Sequence, residues 1–155
     1  MKKVLVWTVA TAVALILPVG AAMALTSSPH SSAKGEKIVL KKTGDLGKIL
    51  RDSEGHVVYL FQKDKTTKSQ CYGACATNWP PVITKGKPVA GSGIIASKLG
   101  TTKRKDGKKQ VTYGGHPLYY FAGDSKAGQA NGEGLDAFGA EWYVLSKSGK
   151  KVDKD

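Results

Sequence analysis

The decamer GHVVYLFQKD, Gly55 to Asp64, returns 60 residues later as GHPLYYFAGD, Gly115 to Asp124, with Gly, His, Tyr, Phe and Asp in the same register. A pattern repeated at that distance points to two related halves, and two copies are too few for a solenoid. Each copy reads as a β-branched and aromatic strand bounded by turn residues. Alternate side chains of a strand share a face, so Val57, Tyr59 and Phe61 point one way and Val58 and Leu60 the other. In the second copy Tyr119 and Phe121 share a face, with Leu118 and Tyr120 opposite. Each aromatic of such a plate buries about 150–250 Å². A buried phenol needs a hydrogen-bond partner, and the Asp five positions on is expected to fold back in a turn towards it. Tyr59, Phe61, Asp64, Tyr119, Phe121 and Asp124 are therefore read first as aromatic core and Asp turn. The alternatives are a ligand groove lined by the paired tyrosines, and chemistry on the Tyr/Asp pair.

The rest of the chain is written in strands. KIVLKK ends at Thr43-Gly44, LGKILRD leads into a turn at Ser53-Glu54-Gly55, and KLGTTKRK and KKQVTY flank Asp106-Gly107. An Asp-Gly between strand-like runs signals a hairpin. No apolar spacing of helical period is sustained, and 19 glycines and six prolines turn the chain often. The expected fold is mainly β: a small antiparallel domain over residues 37–155 with little helix. Its two repeats span about 46–83 and 99–146, with Trp79 and Trp142 near their ends.

Residues 1–24 have the parts of a secretory signal: Lys2 and Lys3, an apolar run from Val4 to Leu17, and Ala22-Met23-Ala24 as a cleavage site. An uncleaved anchor is the alternative, since the uncharged stretch is long enough to span a bilayer. No cysteine follows the apolar run, so lipid attachment at a new N-terminal Cys is not expected. Residues 25–36 are Ser-rich and read as a disordered linker containing His30. Loss of the signal takes the net charge from +12 to +10. A basic exported chain is suited to anionic envelope polymers or a membrane surface, and nothing in the pattern specifies nucleic acid. The densest basic run is Lys103-Arg104-Lys105 with Lys108-Lys109. The expected location is outside the cytoplasm, periplasmic or at the cell surface.

Cys71 and Cys75 are the chain's two thiols, and export carries them into an oxidising compartment. In one helical turn or tight loop their Cα atoms come within the disulfide range of about 4.4–6.8 Å. A five-residue loop closed this way gains roughly 2 kcal/mol. The alternative is a Cu(I) or Zn²⁺ site in which His56 or His116 joins the two thiolates. Against copper, the mature chain offers no Met as a soft ligand. In the main reading the chain has no cofactor and no metal. In the second half, Asp124, Asn131, Glu133 and Asp136 offer oxygens to Ca²⁺, without the spacing of an EF-hand. No nucleophile elbow, phosphate loop or His-Glu-x-x-His is present, and no acid/base pair can be placed.

YLFQKD and YYFAGD fit a Y-x-F-x-x-D pattern that resembles bacterial secreted-repeat lipoproteins of unknown function, marked by a Yx(F/W/Y)xxD motif. CYGACATNWPPV, DGKKQVTYGGHPLYYFAGD, NGEG and EWYVL extend the resemblance over roughly Leu46 to Leu145. The resemblance implies an exported repeat protein and brings no activity with it. Many relatives carry a lipoprotein signal, which this chain lacks. The function expected is a non-catalytic binding or structural module of the envelope, with an extracytoplasmic copper or redox protein as the alternative.

Overall fold

The computed structural model describes residues 35–153. The expected signal, 1–24, lies outside the described residues, as does the linker up to Lys34. Gly35 and Glu36, assigned to that linker from composition, belong to the fold instead. Glu36 is buried, its N–H donates to Thr84 Oγ1 at 3.0 Å, and its carbonyl accepts from Val89 N–H at 2.8 Å. Gly35 lies so close to the Lys87 carbonyl that a Cβ there would stand 1.7 Å from the oxygen.

Three small sheets make up the domain. β1 (Lys37–Lys42) turns through a 3₁₀ segment, Gly44–Leu46, into antiparallel β2 (Lys48–Asp52). β3 (Tyr59–Phe61) follows, then a short helix, α1 (Ala74–Asn78). β4 (Val89–Ala90) adds to β1 in parallel. β5 (Leu99–Lys103), β6 (Lys109–Tyr113) and β7 (His116–Pro117) form an antiparallel meander. β8 (Asp136–Ala137) and β9 (Ala140–Val144) close the chain, β9 lying between β8 and β3.

The turns follow from the residues that make them. Gly114 and Gly115, both at positive φ, form the two-residue link from β6 to β7, a conformation that other residues adopt at a cost. Phe138 and Gly139 occupy the equivalent link from β8 to β9, and Phe138 has φ 60°. Single bridges weld the sheets together: Ile49 to Ser146, Arg51 to Val57, Ile83 to Gln110, and Tyr59 to Tyr119.

The alternation expected in the two decamers separates two cores. Val58, Leu60 and Leu118 join Ile38, Leu50, Val82, Val111, Tyr113, Tyr143 and Leu145 in one cluster. Val57, Tyr59, Phe61 and Tyr119 join Ile49, Trp79, Trp142, Val144 and the two cysteines in the other. The central strands are covered on both faces, so their hydrophobic run is nearly continuous. Among the described residues no helix is long and apolar enough to cross a membrane.

Candidate functional site

The two copies of the decamer meet at a local two-fold. Tyr59 N–H donates to Tyr119 O at 2.8 Å, and Tyr119 N–H donates back to Tyr59 O at 3.0 Å. Both tyrosines are completely buried, so they do not line an open groove. Their hydroxyls cross between repeats: Tyr59 donates to Asp124 Oδ2 and Tyr119 to Asp64 Oδ2, each at 2.5 Å. The turn expected to return each Asp to its own tyrosine instead presents it to the other one. The turn itself forms as expected, with Asp64 N–H on Phe61 O and Asp124 N–H on Phe121 O. A strand directs a side chain away from its own turn, and the antiparallel Tyr59–Tyr119 contact places the opposite phenol there instead. The second oxygen of each carboxylate takes a backbone amide, Gln70 N–H on Asp64 Oδ1 and Asn131 N–H on Asp124 Oδ1.

The rings follow the same symmetry. Trp79 and Trp142 stack at 3.9 Å, with Phe61 on the far side of Trp142 at 4.0 Å and Phe121 on the far side of Trp79 at 4.3 Å. Tyr59 meets Trp79 edge-on at 5.3 Å, and Tyr119 meets Trp142 edge-on at 5.1 Å. Gly132 passes so close to Trp79 that a Cβ would stand 2.6 Å from the indole. Burial, reinforced by the neighbouring carboxylates, pushes both phenols far above their ordinary range. Burial also raises Asp64 and Asp124, opposed by the phenol hydrogen bonds that favour the carboxylates.

Cys71 and Cys75 form a disulfide with Cα atoms 5.2 Å apart, spanning the start of α1. In this form neither sulfur is a thiolate ligand. A buried cation from the densest basic run completes this half. Arg104 is 4 % exposed, its Nη2 donating to Cys71 O at 2.8 Å and its Nη1 to Ser69 Oγ at 2.8 Å and Gln110 Oε1 at 2.7 Å. Ser69 Oγ lies 2.8 Å from the Tyr119 hydroxyl, so the guanidinium is joined to the crossed core. Arg104 follows the end of β5 and continues the inward alternation of Thr102, with Lys103 and Lys105 exposed on either side.

The histidines do not assemble with the cysteines. His56 Nδ1 lies 3.0 Å from Asp52 Oδ2, while Asp52 Oδ1 accepts the amides of Glu54, Gly55 and His56. Among the described residues, the group bringing three His, Cys, Asp or Glu donor atoms within 4.8 Å is Asp52, Glu54 and His56. Asp52 in it is already committed to a turn. Tyr120 donates to Asp52 Oδ2 at 3.2 Å, and buried Glu36 stands beside this group. Desolvation, then the charges of Asp52 and Glu54, raise Glu36 to about 7. His116 lies on β7, and burial lowers its pKa.

The oxygens considered for calcium do not converge either. Asp124 is held by Tyr59 and Asn131 N–H, Asn131 Nδ2 donates to Gly123 O, and Glu133 Oε2 accepts from Val144 N–H at 2.6 Å. Asp136 is exposed on β8, opposite Glu141. These groups organise the glycine-rich loop itself.

Lysines gather on another face. Thr84 N–H donates to Lys109 O at 3.0 Å, which brings the loop carrying Lys85 and Lys87 beside the β5–β6 hairpin. A shallow cleft of about 330 Å³ lies between them, with Lys87 and Pro88 on one wall and Leu99, Thr101 and Lys109 on the other. Lys103 and Lys109 are exposed and directly opposite across the strands. Like charges in that position repel.

A family described as a secreted repeat of unknown function matches the chain twice, at residues 41–83 and 100–146. The chain belongs to this secreted-repeat family. No curated protein and no solved structure matches it. The secreted repeats carry the crossed Tyr/Asp pairs, both stacked tryptophans and the disulfide, so the family match covers the whole symmetric core. Lys85 and Lys87 lie in the connector between the secreted repeats, whereas Lys103 and Lys109 lie within the second. The lysine cleft is therefore built where a repeat meets the segment joining it to its neighbour.

Proposed function

We propose that this secreted-repeat protein is a non-catalytic binding module of the bacterial envelope whose lysine face holds an anionic polymer or membrane surface. The observation that carries this reading is the cross-strand pair Lys103 and Lys109, of which Lys109 lines the cleft together with Lys87. Two ammonium groups held opposite each other repel at short range, and a phosphate or carboxylate between them relieves that repulsion. The rigid core sets the lysines in place, and the mature charge of +10 supplies long-range attraction. Its location outside the cytoplasm, periplasmic or at the surface, is part of the same proposal. Titration with soluble polyphosphate and with anionic or neutral lipid vesicles, over a salt series, tests it. Binding that weakens with salt and is reduced by Lys103→Glu/Lys109→Glu supports the proposal. Absent or salt-insensitive binding overturns it.

A further inference from the structure

The crossed core contains more chemistry than packing requires. A buried phenol is satisfied by any neutral acceptor, and a neutral acceptor is cheaper to bury than a carboxylate. Here each phenol has a carboxylate at 2.5 Å, and both oxygens of each carboxylate accept hydrogen bonds, the arrangement of the ionised form. A base within hydrogen-bond reach is placed to take the phenol proton. Each tyrosine ring also touches an indole edge-on, and the two indoles lie 4° from parallel. Stacked indoles share a positive hole between them, and phenylalanine is too hard to oxidise to compete for it. Phe121 is partly exposed and stacks on Trp79, so the indole pair lies one ring from solvent.

We propose that Tyr59–Asp124, Tyr119–Asp64 and the Trp79–Trp142 stack form a proton-coupled aromatic relay that accepts a one-electron oxidising equivalent and holds it on a buried tyrosine. The oxidant is a species of the one-electron class, an oxygen radical or a high-valent metal complex, arriving from outside. It takes an electron from the indole pair and is reduced by one electron. The indole radical cation is refilled by an electron from Tyr59 or Tyr119. As that electron leaves, the phenol O–H bond breaks and its proton moves to Oδ2 of the paired Asp. The products are a neutral tyrosyl radical, a neutral carboxylic acid and the reduced oxidant. Burial of the phenols opposes loss of the proton by itself, so proton and electron leave together. The local two-fold provides two end points around one indole pair, which differ in that Tyr119 contacts Ser69 and through it Arg104, whereas Tyr59 accepts from Gly132 N–H.

The experiment is flash oxidation of the oxidised, disulfide-intact protein with a photoexcited ruthenium tris-bipyridine complex and persulfate, followed by transient absorption and paramagnetic resonance. The expected result is a tyrosyl radical that forms more slowly in D₂O and outlives the radical of a free tyrosine amide severalfold. Tyr59→Phe/Tyr119→Phe should abolish that long-lived signal. Asp64→Asn/Asp124→Asn retains the phenols and an acceptor oxygen while removing the base, and should lower the radical yield severalfold. It also serves if the double phenylalanine variant fails to fold. A radical of unchanged yield and lifetime in the variants overturns the relay. So does one no longer-lived than the free amide, or one without a solvent isotope effect.

Discussion

Tyr119 and Asp64 lie in different repeats, 55 positions apart, and share a 2.5 Å hydrogen bond that Tyr59 and Asp124 repeat with the halves exchanged. The motif that looks like a self-contained strand and turn thus works as half of a joint. Double-mutant cycles can distinguish the two designs. Tyr119→Phe and Asp64→Asn should show a coupling energy of about 1–3 kcal/mol in chemical denaturation, as expected for a buried hydrogen bond to a charged group. Tyr119→Phe with Asp124→Asn, the pair within one repeat, should be additive.

The disulfide clamps the start of α1 against the network of Arg104. Replacing both cysteines by alanine should lower stability by about 2 kcal/mol, the loop-entropy value for so short a ring. Amide exchange should accelerate first at Ala74–Asn78 and at the Cys71 segment. The mass of the exported protein should be two hydrogens below that of the reduced chain.

Glu36 gives the fold a pH dependence with a definite sign. Its folded pKa, about 7, is above the ordinary 4.5. The native state therefore holds this proton more tightly than the unfolded chain. The stabilisation is complete below pH 4.5 and is lost as pH rises through 7, by up to about 3 kcal/mol. Glu36→Gln should flatten the stability curve in that window and leave the variant the more stable of the two at pH 8. Urea titrations at intervals from pH 4 to pH 8 measure the difference.

Gly132 tests how closely the loop must approach the tryptophan stack. Gly132→Ala places a Cβ 2.6 Å from the Trp79 ring, and overpacking of this kind costs about 1–3 kcal/mol. Near-ultraviolet circular dichroism should change with it, because the displaced ring belongs to the stack.

At the lysine face, Lys103→Glu should weaken binding of soluble polyphosphate and reduce its salt dependence. Lys103→Ala in the free protein should be neutral or stabilising by a few tenths of a kcal/mol, since it removes a like-charge cross-strand pair. A loss of stability in Lys103→Ala would count against repulsion at this position.

Much of the β fold was legible because the signals were local. Alternation around Tyr59 and Tyr119, the Gly114-Gly115 link and the Asp106-Gly107 turn each depend on neighbours in the chain. The cysteine pair was legible for the same reason, four positions apart and already near the reach of a disulfide. Long-range choices were not legible. Nothing near Asp64 says which tyrosine it will meet, because that depends on two strands crossing far apart in sequence. Arg104 looked like one more charge in a basic run, and its burial depends on acceptors from Ser69, Cys71 and Gln110 that only folding gathers. The cleft required Thr84 to pair with Lys109, also a distant contact.

The crossed hydrogen bonds have a consequence for a repeat separated from its neighbour. Alone, it would bury a phenol without its acceptor and expose one face of an indole. It could satisfy both only by finding a second repeat, at a rate set by concentration. Joining the repeats through residues 84–99 makes that search intramolecular, with an effective concentration set by the tether. The duplication can be understood as a dimer whose partners can no longer be diluted apart.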